Sequence, residues 1–150
     1  MSFGSGGQAA GSEAAVDAVV NQGVTVTVAA GNNNGDACAF TFAYIPSAIT
    51  VGSSTSTDAR SSFSNYGNCI AIFAPGSSIT SAHYTGDTGS RTISGTSMAA
   101  PHVADGAALI LADEPSLLPA KVKERLVQTA EANALTDVKG SPNLLMNVRA

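Results

Sequence analysis

Tryptophan is absent from this chain, and with 15 glycines and abundant alanine, serine and threonine the composition suits closely packed α/β enzymes of the secreted kind. Cationic side chains are few: seven Lys and Arg lie scattered in a chain of formal charge −4, which leaves no basic patch and excludes nucleic acid as a partner. No apolar run reaches the length needed to span a bilayer, so no membrane is expected either. Met1-Ser2-Phe3-Gly4 lacks a basic start and a hydrophobic stretch, and no secretory signal is expected there. Cys38 and Cys69 are too few for a structural zinc cage of four thiolates. They form either one disulfide or two separate buried thiols. A disulfide closing that loop stabilises by roughly 3 to 4 kcal/mol in the chain-entropy model and implies an oxidising compartment.

What is present fills one domain: 150 residues, 44% of them hydrophobic. From Gly11 to Gln22, Ala14, Ala15, Ala18, Val19 and Gln22 recur at helical spacing, and Gly23 ends the helix. Val24–Ala30 is rich in β-branched residues and enters the turn Gly31-Asn32-Asn33-Asn34. A second strand is expected at Ile49–Ser53 and a third at Ile70–Phe73, stopped by Ala74-Pro75-Gly76, with the polar connection Ser61–Gly67 between them. Ile79–Tyr84 and Gly89–Ile93 flank Thr85-Gly86-Asp87-Thr88 as a hairpin. An apolar helix runs from Met98 through Leu111. A last helix places Val122, Leu126, Val127 and Ala130 on one face, leaving Lys121, Lys123, Glu124 and Arg125 largely to solvent.

The chemistry is concentrated in Ser94-Gly95-Thr96-Ser97-Met98-Ala99-Ala100-Pro101-His102-Val103-Ala104. Gly95 is read as giving the chain a conformation closed to other residues, so that it turns sharply into a helix with Ser97 at the turn. Free N–H groups and the positive end of the dipole at a helix start stabilise negative charge developing there. A serine hydroxyl needs a neighbouring base to become a nucleophile, and its tetrahedral intermediate needs donors aimed at the oxyanion. The plainer alternative is that Ser97 or Thr96 merely caps the helix.

The longer stretch resembles the nucleophile motif of the subtilases, the subtilisin-like serine proteases (peptidase S8), and the run Thr50–Gly76 is similar to their proteinase K and aqualysin branch. The resemblance implies an α/β fold, a subtilisin-like three-layer α/β/α sandwich on a mostly parallel sheet. It makes the chain a secreted serine endopeptidase with Ser97 as nucleophile, and Ala29-Ala30-Gly31-Asn32 gives Asn32 as the side-chain donor to the oxyanion. Ser2, Phe3 and Gly4, facing Ala29, Ala30 and Gly31, become walls of the pocket for the residue before the cleaved bond. Phe3 stands where that branch usually has leucine, and the small flanking residues favour an apolar or aromatic substrate side chain.

The same resemblance pairs Cys38 with Cys69. It needs no cofactor for catalysis. The branch holds a structural calcium with carbonyls near Pro46 and Ala48 and an aspartate that aligns with Ala71, so that site is expected to be absent. His102 is not the base in this family, and His83 is read as a hairpin residue. Asp105 stands where glycine is usual, which implies either a less covered helix or damaged packing. The Asp and His motifs that supply the orienting acid and the base in this family precede the oxyanion asparagine, and neither occurs here. Residues 1–150 are therefore expected to be the carboxyl-terminal portion of one catalytic domain, with amino-terminal strands missing and no activity alone. Expected partners are a protein or peptide substrate and a complementary amino-terminal half or propeptide. The alternative is a non-catalytic fragment that binds peptide or such a half-domain through an open sheet edge.

Overall fold

β-Branched and small residues at 27–29 and 49–54, with Ile72, Phe73 and Ala74, build a sheet buried on both faces, the environment in which parallel strands occur. A computed structural model describes residues 1–148. Strands β1 (Thr27–Ala29), β2 (Ile49–Ser54) and β3 (Ile72–Pro75) are parallel neighbours, with Ala29 opposite Val51 and Val51 opposite Ile72. Strands β4 (Ile79–Ala82) and β5 (Ser90–Ile93) form a separate, solvent-facing antiparallel hairpin. Strand β6 (Glu131–Ala132) pairs antiparallel with β7 (Leu144–Leu145), which runs parallel to β3, giving the order β1-β2-β3-β7-β6.

The period-two alternation of the strands divides the core. Ala29, Ile49, Val51, Ile72 and Ala74 pack against helix α2 (Thr96–Asp113) through Ala99, Ala100, Val103 and Ala107, and helix α3 (Pro119–Thr129) adds Val122 and Leu126. Val28 faces the other way, against Val16 of helix α1 (Ala10–Asn21), while Phe73 meets Ile70, Ala43 and Leu135. Burial of each large aliphatic side chain among these contributes about 1.5–3 kcal/mol. The expected three-layer arrangement is thus the one observed. Cys38, in the 3-10 turn Ala37–Ala39, is bonded to Cys69 with Cα atoms 5.3 Å apart.

Several local readings are corrected. In α1 the residues at the expected spacing are the outer ones: Ala14, Ala15, Ala18 and Val19 are exposed and Val16 is buried. The helix is apolar on more than one side, so spacing alone does not select the packed face. β1 is shorter than expected because Val24 N still donates to Val19 O at the helix end. β3 begins later, since Ile70 N closes a turn onto Gly67 O, and it runs on to Pro75. α2 starts at Thr96. Gly95 has φ 166°, extended backbone open to any residue, so it is not the conformational hinge expected. Asp105 is exposed, which selects the uncovered-helix alternative. The tight position is Gly106, where a Cβ would lie 2.6 Å from Met146 Cε.

Candidate active site

The turn after β1 is held to the start of α2 by one threonine. Thr96 is fully buried; its N–H and its hydroxyl both donate to Asn32 Oδ1 at 2.9 Å, and its Oγ1 accepts from Gly31 N at 3.1 Å. A backbone N–H can only donate, so the Asn32 atom facing it must be the oxygen. The amide nitrogen is thereby turned away from Thr96, and among the described residues no partner of it is recorded. Asn32 and the α2 N-terminus are locked in one orientation.

A second residue frames the same turn from below. Asn65 is fully buried; its Oδ1 accepts from Asn33 N and Gly35 N, both at 3.0 Å, and its Nδ2 donates to Ala30 O at 2.8 Å. Gly31, at φ +100°, leaves room for that amide, because a Cβ there would lie 2.4 Å from Asn65 Nδ2. Asn65→Ala strips three backbone groups of their partners at once, the buried Ala30 carbonyl and the half-buried Asn33 and Gly35 N–H groups. At roughly 1–3 kcal/mol for the buried carbonyl and less for the two groups that water can reach, a loss of about 2–3 kcal/mol is expected, read as a lower urea midpoint at unchanged m-value.

Ser97 is the second residue of α2 and caps nothing. The N-cap is Gly95, and Ser97 Oγ donates instead to Ser2 O at 2.9 Å. Pro101, four residues on, has no N–H to offer the Ser97 carbonyl. Ser2 Oγ takes that place, donating to Ser97 O at 3.0 Å. The amino-terminal segment is brought alongside by Met1, whose ammonium donates to Thr27 O and whose carbonyl accepts from Ala29 N at 3.0 Å.

Between these segments lies a cleft of about 430 Å³ whose lining includes Ser2, Phe3 and Gly4, Ala29, Ala30 and Gly31, and Asn32, Thr96 and Ser97. All eight candidate nucleophile, donor and pocket-wall residues are therefore brought together. Phe3 is 63% exposed and meets Phe42 edge to face, ring centroids 5.3 Å apart. Phe40 and Thr41 also line the cleft and carry no sequence signal, since they come from a loop distant in the chain. Thr96 and Asn65 carry a weaker signal, lying in segments that resemble the family but whose side chains act only across the fold.

Neither histidine faces the hydroxyl. His83 Nδ1 is 3.0 Å from Thr85 Oγ1 on the hairpin, and His102 Nδ1 donates to Met98 O at 2.7 Å along the helix. A peptide carbonyl, the recorded acceptor for Ser97, is too weak a base to take its proton.

The calcium site implied by the family does not fit these residues. The carbonyls of Pro46 and Ala48 accept from Lys123 Nζ at 3.0 and 2.9 Å, and Ala71 has no side-chain oxygen. Lys123, expected in solvent, is half-buried, and burial holds its pKa below the usual lysine value. Among the described residues no group of three or more His, Cys, Asp and Glu side chains is placed to hold a metal.

Residues 1–145 match the model of the subtilase family, peptidase S8, and the chain belongs to that family. It is similar to the alkaline serine exoprotease A of Vibrio alginolyticus, 51% identical over 146 residues that make up 97% of this chain and 27% of that protein. It is 52% identical over 147 residues to the extracellular serine proteinase of Thermus sp. (strain Rt41A), covering 97% of this chain and 36% of that one. A cold-adapted subtilisin-like serine proteinase of solved structure superposes with TM-score 0.96 at 49% identity, covering all of this chain and 54% of its own. The chain therefore spans about a quarter to a third of the two curated relatives and about half of that solved structure. Among the described residues no helix is long and apolar enough to cross a membrane.

Proposed function

We propose that this chain is the nucleophile-bearing, carboxyl-terminal portion of a secreted serine endopeptidase domain. Ser97 attacks the substrate carbonyl. The Asn32 amide and the Ser97 N–H receive the oxyanion, two donors fixed before the substrate arrives. The cleft between residues 2–4 and 29–31 receives the side chain before the cleaved bond, and its substrate is protein or peptide. The base and its orienting carboxylate come from polypeptide outside this chain, and catalysis needs no cofactor. The observation that carries this reading is the Thr96 clamp, which joins Asn32 and the start of the Ser97 helix at one cleft. Secretion is supported by the disulfide and by the extracellular relative.

A second reading, a non-catalytic fragment that binds a complementary half-domain, is favoured by the Ser97 hydroxyl resting on a carbonyl and by the exposed apolar residues Val19 and Val24. A fluorophosphonate probe separates the two. The chain alone is expected to remain unlabelled, and mixing it with an amino-terminal polypeptide carrying the family's Asp and His motifs is expected to produce labelling at Ser97. Association without labelling would leave the binding reading and remove the catalytic one.

A further inference from the structure

We infer that the Lys123 ammonium serves as a built-in cation for the Pro46–Ala48 loop, taking the structural place of a bound metal ion. Calcium takes six to eight oxygens, carboxylates among them, in a pliable shell. Here the two carbonyls that would contribute are already accepting from one ammonium, at 3.0 and 2.9 Å, and residue 71 brings no carboxylate. A lysine head is a compact charge with three donors, able to satisfy converging carbonyls on its own.

The position of this contact gives it a mechanical role. Lys123 stands on α3, whose Val122 and Leu126 are packed into the core on one side of the sheet. The loop it grips leads directly into β2. Ser47, between the two accepting residues, donates to Asp17 Oδ1 of α1 at 2.5 Å. One three-residue loop is thus tied to α3 and α1, from the two outer layers of the fold. A divalent ion brought to the same carbonyls would meet the ammonium's positive charge, and Ala71 brings no carboxylate to offset it. A tethered cation cannot be removed by a chelator, so the rigidity of the strand entry is independent of calcium concentration.

The test is a thermal unfolding series with excess calcium and with a chelator, on the chain and on Lys123→Met, which keeps the aliphatic stem and removes the charge. Lys123→Met is expected to lower Tm by about 3 to 8 °C, the shift appropriate to losing hydrogen bonds from a charged donor in a domain of this size. Adding calcium is expected not to restore it. Lys123→Met combined with Ala71→Asp returns a carboxylate to the freed carbonyls, and its Tm is expected to rise with calcium by more than that of the unsubstituted chain. The inference is overturned if Lys123→Met melts with the unsubstituted chain, or if the double variant responds to calcium no more than that chain does. Because the readout is unfolding, neither outcome depends on the catalytic reading.

Discussion

Ser97→Ala is expected to abolish fluorophosphonate capture and to lower peptide hydrolysis by about a million-fold once the chain is assembled with the polypeptide that carries its base. That size is the one known for removing the nucleophile of subtilisin, a member of the same family. Folding should survive the change. Alanine is the best helix former, and among the described residues the hydroxyl makes one hydrogen bond, to the Ser2 carbonyl, at a half-exposed position. A change in stability of no more than about 1 kcal/mol is expected. A cap residue behaves in the opposite way: its loss weakens the helix and leaves chemistry alone. Measured together, urea unfolding and turnover of a peptide substrate decide between the two roles. A variant that unfolds early yet keeps a tenth of the activity would remove Ser97 from the mechanism.

The cleft was legible in the sequence to the extent that its chemistry is local. Ser97 stands in an eleven-residue stretch whose order is itself the signal, and the turn at Asn32 follows a recognisable strand, so both could be placed on elements before any contact was known. The layering was legible too, because β-branched runs and apolar helices alternate in the order a parallel sheet requires. What escaped were relations across the fold. Nothing in a threonine predicts that it will clamp a residue 64 positions away, as Thr96 does to Asn32. Nothing in Ser64-Asn65-Tyr66 distinguishes a buried amide that satisfies three backbone groups from a turn asparagine. Lys123 lies beside Glu124 and Arg125 on a helix with one clear apolar face, which points it to solvent; its ammonium instead reaches past that face to carbonyls 75 and 77 positions earlier. The packed side of α1 is hidden for a related reason: alanines and valines recur on both sides, and Val16 is chosen by Val28 and Ile45, which belong to other elements.

Asn32→Ala is expected to lower kcat by about 100- to 1000-fold with little change in KM, a magnitude known from the corresponding amide of subtilisin. The alanine variant alone does not isolate the donor. Asn32 Oδ1 also accepts two hydrogen bonds from Thr96, and removing it loosens the start of α2 as well as the oxyanion site. Asn32→Asp separates the two tasks. An aspartate keeps the oxygen that Thr96 grips, so unfolding should stay nearer that of the unsubstituted chain than it does for alanine. It replaces the amide nitrogen by a second oxygen of negative character, which opposes charge developing on the substrate instead of receiving it. If Asn32 is the donor, Asn32→Asp is the more stable of the two variants and at least as slow. If Asn32 is only a brace between β1 and α2, Asn32→Asp recovers activity along with stability. The ranking of kcat against urea midpoint across the three chains therefore settles which of its two atoms matters to the reaction.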